Sequence, residues 1–260
     1  MVTAWLTAPE DEGTEEFVHR LLAGDGVKGV GGFSLVCGKL RRHRDSSNEI
    51  EPLAILSNRS GSPDDVPWIA ERRDEVYGLS NTSFLDPQTW PKVRMGKEKL
   101  LEAVHEAVEN DYSEEELVAK LYAILDLNTL PVQAGRDFDD YICELRNSIF
   151  IPSIGKPPEP GTPAKADAIA SANPEVIGDI ELRTEETPEA GNIMTGVYGT
   201  QRQTIILVDW EGNVTFRERA LWDAEAHPIP RGKGDMKFNF KIDGWNGESK
   251  GNEVYPRSEL

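Results

Sequence analysis

Two cysteines and four histidines are the side chains through which this chain could act as a nucleophile or hold a metal. A reactive thiol needs a depressed pKa or an adjacent base. Cys37 closes the apolar run Phe33-Ser34-Leu35-Val36-Cys37 and reads as a small buried hydrophobe. Cys143 sits in the short amphipathic pattern Tyr141-Ile142-Cys143-Glu144-Leu145. His19, His43, His105 and His227 share no spacing with one another or with the cysteines, so no structural zinc pattern is present. The acidic runs Glu10 to Glu16 and Glu109 to Glu116 lie at helix entries, where they suit the helix dipole. They lack the spacing of a calcium loop. No catalytic residue and no metal ligand is assigned.

Polar groups remain. The carboxamide of Asn81 can donate to an anion, as an oxyanion-hole side chain does. The alternative is that Ser80-Asn81 turns the chain after a strand. The Thr200 hydroxyl offers a similar choice between serving a site and shaping a turn. The formal net charge of −18 makes nucleic acid a poor partner, because phosphates must be neutralised by basic side chains. The one basic cluster, Lys39 to Arg44, reads as a solvated turn. Two cysteines are too few for a disulfide framework and suggest a reducing compartment. No apolar run has the length of a membrane span and no signal peptide is visible, which places the expected localisation in the cytoplasm.

The elements that would position these groups follow from periodicity. Thr14 reads as an N-cap, with Phe17, Val18, Leu21 and Leu22 on one helical face and Gly24 as the stop. Strand patterns occur at Gly32 to Cys37, Leu53 to Ser57, Val76 to Leu79 and Ser148 to Ile151. Pro91 opens a helix whose expected stripe is Leu100, Leu101, Val104, Ala107 and Val108. Ser113 with Glu116 forms a capping box before the stripe Leu117, Val118, Leu121, Tyr122 and Leu125. Residues 152–190 are rich in Pro, Ala and Glu and read as a disordered insertion. A hairpin follows, from Thr204 to Val208 and Asn213 to Phe216, with Gly212 supplying positive φ. Its first strand is apolar on both sides, so both faces should be covered. Lys237 to Ile242 alternates as an edge strand, and residues 244–260 read as a flexible tail. The order of elements is α+β, with one domain over 1–243 and a mainly antiparallel sheet.

Two blocks, Tyr77-Gly78-Leu79-Ser80-Asn81 through Trp90-Pro91-Lys92-Val93, and Tyr198-Gly199-Thr200 through Thr215-Phe216-Arg217-Glu218-Arg219, resemble the NRDE family, also called transport and Golgi organisation protein 2. The resemblance implies a four-layer αββα fold of the N-terminal-nucleophile hydrolase type, with two stacked antiparallel sheets. It implies a role in Golgi organisation or secretion, association with Golgi or mitochondria, and handling of a small amphipathic metabolite such as haem or an acyl-CoA-like ligand. The insertion suggests a fungal version.

The family pattern begins with Cys at position 2 and an Asn-Arg-Asp-Glu motif. Here position 2 is Val2, and Arg73-Asp74-Glu75 lies far from where that motif belongs. The chain is therefore expected to lack the N-terminal part of a family member and to leave apolar faces uncovered. It would be non-catalytic as it stands; the alternative is an amide hydrolase whose nucleophile lies in a missing segment. The family's Arg after Tyr-Gly-Thr is replaced by Gln201, with Arg202 one residue late. One step along a strand reverses the face. Either Gln201 supplies the hydrogen bonding, or a bulge lets Arg202 substitute. Asn81, Thr200, Gln201 and Arg202 are the ligand-site candidates, and Lys92 and Lys97 are further positive groups that an anionic ligand could use.

Overall fold

The computed structural model describes residues 2–9, 11–24, 27, 32–42, 49–72, 74–131, 141–155 and 197–246. Its elements run α1 (Val2–Leu6), α2 (Thr14–Ala23), β1 (Ser34–Cys37), β2 (Leu53–Ser57), β3 (Trp68–Ile69), α3 (Pro91–Glu109), α4 (Glu114–Leu125), β4 (Ile154–Gly155), β5 (Val197–Tyr198), β6 (Arg202–Val208), β7 (Asn213–Ala220) and β8 (Met236–Lys241). Every strand pair among the described residues is antiparallel. The fold is thus α+β, with sheets β1-β2-β3, β4-β5 and β6-β7-β8.

The first core forms where α2 meets the first sheet. Glu15 and Glu16 open α2, the Gly13 N–H donates to the Glu16 carboxylate at 3.0 Å, and Gly24 ends the helix. Phe17, Val18 and Leu21 then share one face and pack with Cys37, Ala54 and Leu56. Strand register explains the partners: Cys37 pairs with Ala54 and Leu35 with Leu56, which puts all four on one side of the sheet. Trp5 of α1 closes the cluster edge-on against Phe17, with ring centroids 4.8 Å apart.

Val76 to Leu79 does not form the expected strand. The third strand is Trp68–Ile69, paired with Leu53 and Ala54. Ala70, at φ 65, turns the chain away after it. Gly78 then lies so close to α3 that a Cβ there would come within 2.8 Å of Val93. This segment packs on a helix, so its backbone cannot join a ladder. Ser148 to Ile151 is also irregular. Ser148 is wholly buried; its Oγ accepts from the Thr129 N–H at 2.9 Å and donates to the Phe150 carbonyl at 2.6 Å. A side chain here satisfies backbone groups that a ladder would otherwise use.

Both long helices form where expected, and Ser113 and Glu116 make the capping box: the Ser113 N–H donates to the Glu116 carboxylate at 2.8 Å. The stripe of α3 is rotated from the expected one. Ala103 is buried and Leu100 and Ala107 are half-buried, whereas Leu101, Val104 and Val108 are exposed, Val108 at 78%. The inner side thus combines Leu100 with the small Ala103 and Ala107.

The hairpin turn holds through Asp209, whose carboxylate accepts the N–H groups of Glu211 and Asn213. Gly212 has φ +80, and a Cβ there would meet Trp245 at 2.6 Å. Trp245, in the stretch expected to be flexible, is buried, and its indole N–H donates to the Trp210 carbonyl at 2.9 Å. Residues 156–196 and 247–260 lie outside the described residues, and with them most of the Pro-rich segment; its first residues supply β4.

The difference between a buried and a rotated apolar position is measurable. Phe17→Ala should destabilise the chain by about 3–5 kcal/mol in urea unfolding. Val108→Ala should change stability by no more than about 0.5 kcal/mol, although both positions look like core positions in the sequence.

Candidate functional site

The sheet β6-β7-β8 has two unlike faces. Pairing Ile205 with Arg217 and Gln203 with Arg219 places these residues on one side, together with Thr215, Lys237 and Asn239. That side receives α4. The Gln203 side-chain N–H donates to the Leu125 carbonyl at 2.8 Å and to the Asp126 carboxylate at 2.9 Å, capping the helix end. Asp126 also accepts from Arg219 at 3.1 Å and Arg231 at 2.6 Å. Arg219 lies over the Tyr122 ring at 3.9 Å. At the other end of α4, Glu115 meets Arg217 and, at 3.2 Å, Lys237, while Thr215 donates to Glu114 at 3.0 Å.

The opposite face carries Thr204, Ile206, Val208, Val214, Phe216, Glu218, Met236, Phe238 and Phe240. Ile206 is 57% exposed, Phe238 and Phe240 are each 55% exposed, and Met236 is exposed as well. The expectation that both faces of β6 are covered therefore fails for this side. A helix occupies one face; on the other, Val214 and Ala220 are buried, while Ile206, Phe238 and Phe240 stay exposed. Phe216 and Phe238 stand directly opposite, ring centroids 6.0 Å apart. At the end of this apolar floor Arg202 donates to Glu218 at 2.6 Å, and the Thr204 hydroxyl donates to the same carboxylate at 3.3 Å. The arrangement is an open apolar surface with a compact polar group at one end, the form of an amphipathic binding face.

The sequence candidates are dispersed around this surface. Arg202 belongs to it directly. The β6-β7 register is continuous from Arg202↔Ala220 to Val208↔Val214, so no bulge returns Arg202 to the position of Gln201. The Gln201 side chain donates to the Asp223 carbonyl at 3.3 Å and is exposed. Thr200 clips the chain to Ile151: its N–H donates to the Ile151 carbonyl at 2.8 Å, and its hydroxyl accepts the Ile151 N–H at 2.9 Å. Asn81 is exposed, and no hydrogen bond among the described residues joins it to the other three. Lys92 begins α3 over the Trp90 ring at 5.0 Å, and burial lowers its pKa. Lys97 is exposed, beside Gly78.

Thr204 and Glu218 were not singled out by sequence reasoning. The signal was present, since Thr204 lies seven residues before Glu211 and Glu218 seven after it, and a two-stranded register pairs them. Burial pushes the Cys37 thiol up to about 11, so it is protonated at neutral pH. Asp223, Glu225 and His227 bring ligand atoms within 4.8 Å of one another on an exposed loop. The Asp223 carboxylate there already accepts the N–H groups of Glu225 and His227, and the His227 N–H leads in lowering its pKa. The cluster is accounted for by that turn.

The family described as Transport and Golgi organisation 2 has a model that matches residues 1–223. This chain belongs to that family. The NRDE resemblance and this match name the same family. The chain is also 24% identical, over 233 residues, to the uncharacterized protein YGR127W of Saccharomyces cerevisiae; the match covers 84% of this chain and 63% of that protein. The chain thus spans less than two thirds of the length of the curated relative it matches. The family match covers β6 and β7, and β8 lies beyond it. No helix among the described residues is long and apolar enough to cross a membrane.

The clamp on the helix side carries a pH dependence. Burial alone would raise the Asp126 carboxyl, but hydrogen bonds from Arg231 and Gln203 and the charges of Arg231 and Arg219 outweigh it and hold the carboxyl below its ordinary value. The contribution of Asp126 is then full above the ordinary carboxylate value of about 3.9 and is lost as pH falls through the depressed folded value. Asp126→Asn should cost about 2 kcal/mol at neutral pH and much less in strong acid. Urea melts of both proteins across the acid range would check that convergence.

Proposed function

We propose that this chain is a binding member of the transport and Golgi organisation 2 family that holds an amphipathic metabolite, haem-like or acyl-CoA-like, against the open face of β6-β7-β8. In this reading the sheet is one of the two inner layers of a four-layer αββα sandwich, the domain extends over residues 1–243, and the open face lines the cleft between sheets. The observation that carries it is the pairing of an exposed apolar floor, Ile206, Phe238 and Phe240, with the Arg202–Thr204–Glu218 group at its end. The floor would take the ligand's apolar body. The polar end would take its head group, with Arg202 as the donor. Asn81, Thr200 and Gln201 stay in the proposal as outer residues of the cleft. A cytoplasmic protein associated with Golgi or mitochondrial membranes, acting in organelle organisation or secretion, is the cellular role this reading supports. The protonated thiol of Cys37 favours binding over nucleophilic chemistry at that residue.

The test is direct binding of haemin, followed by its absorbance, and of palmitoyl-coenzyme A, followed by calorimetry. Ile206→Asp should weaken whichever ligand binds by about tenfold, a loss of about 1.4 kcal/mol, and should leave the melting temperature nearly unchanged because the side chain is exposed. Binding of both ligands that is indifferent to Ile206→Asp, or no binding of either, would refute the reading.

A further inference from the structure

Among the described residues β8 is the edge strand of its sheet, hydrogen-bonded to β7 alone, and all six of its residues are exposed. An edge strand of this kind presents unpaired N–H and C=O groups along its free side. The sequence Lys237-Phe238-Asn239-Phe240-Lys241 alternates perfectly. Phe238 and Phe240 extend the open apolar face, while Lys237, Asn239 and Lys241 lie on the side of α4. Nothing on the strand is acidic.

We propose that the free edge of β8 accepts an added strand from a partner protein, an extended segment in which acidic residues alternate with apolar ones. In the pattern acidic–apolar–polar–apolar–acidic, the outer carboxylates lie across from Lys237 and Lys241. The two apolar side chains lie across from Phe238 and Phe240 and enlarge the apolar face. The pattern is symmetric, so it fits in either strand direction. Main-chain hydrogen bonds to the edge supply the adhesion, and the alternate side chains supply the selectivity.

In the register centred on Asn239, charge disfavours the other occupant, a second copy of this chain. Antiparallel pairing of two β8 strands about Asn239 would set Lys237 opposite Lys241 twice over, and like charges directly opposite are destabilising. Lys237 reaches Glu115 at 3.2 Å, so Lys241 is the freer of the two cations, with Asp209 as an electrostatic neighbour. The inference does not depend on the metabolite proposed above, because the main-chain groups of the β8 edge take no part in that reading.

The probe is a blocked peptide containing Glu-Ile-Thr-Val-Glu between flexible ends. Its counterparts contain Lys-Ile-Thr-Val-Lys, or the acidic residues grouped as Glu-Glu-Thr-Val-Ile. The alternating acidic peptide should bind the full chain about tenfold tighter than the basic one and should weaken as salt rises. Hydrogen exchange should slow at the amides of residues 236–241 and not at those of β6. Lys241→Glu, at an exposed site, should narrow the preference, and Lys237→Glu combined with Lys241→Glu should reverse it in favour of the basic peptide. Equal affinity for all three peptides, no binding, or protection away from β8 would overturn the proposal. So would a concentration-dependent dimer with β8 protected in the absence of peptide, which would give the edge to a second copy.

Discussion

The docking of α4 across β6-β7-β8 is the interaction on which the rest of the structure depends, and its chemistry is inverted from the usual. A helix ordinarily covers the apolar side of a sheet. Here α4 lies over the side that carries Gln203, Arg217, Arg219 and Lys237, and it is held by the carboxylates at its two ends. Ile205, at 6% exposure, and Val118 supply apolar contact beneath the polar clamp. Electrostatics of this kind fixes the position of the helix more than it adds stability, since exposed ion pairs are individually weak. The sheet's larger apolar area is consequently left on the far side, where the hydrophobic effect favours some cover.

That inversion leaves the sheet with the two features on which both proposals rest, an exposed apolar face and an edge strand. The face is broad, apolar and chemically unselective, and its selectivity must come from the Arg202–Thr204–Glu218 group at one end. The edge is narrow, and in the proposed strand addition its backbone fixes spacing while Lys237 and Lys241 choose charge. The strong acidity of the whole chain repels anions at long range, so an anionic head group would depend on the local positive potential at Arg202. Arg202 is already engaged by Glu218 at 2.6 Å. A ligand head that both donates and accepts could share this pair, whereas a bare anion would have to displace a carboxylate.

Much of the architecture was legible because it rests on local rules. The 3.6-residue period of Phe17, Val18 and Leu21, the Ser113–Glu116 box and the Gly212 turn each specify their element within a few residues. The failures were non-local. Val76 to Leu79 has strand composition, but Gly78 is pressed against Val93 of a helix that begins a dozen residues later. The face of α3 was misread because branched residues were assumed to point inward, whereas the buried position is Ala103 and Leu101, Val104 and Val108 are exposed. For the candidate site, Arg202 was visible as a displaced family position. Glu218 required a register, and the exposure of Ile206, Phe238 and Phe240 required the assembled tertiary structure.

The ionisable groups discussed for the described residues are held by their surroundings rather than poised for proton transfer. The Cys37 thiol is held protonated by the core it helps to form. The carboxylates of Asp209, Asp223 and Asp126 are each engaged by backbone or cationic donors, which lowers their basicity and makes them poor proton acceptors near neutral pH. Lys92 tends the other way, since burial lowers its pKa, but its ammonium over the Trp90 ring gains cation–π stabilisation that opposes the loss of its proton. Among the described residues, exposed apolar area also adjoins the outer edge of β8. In the two proposals, the free energy of both is realised only when another molecule arrives.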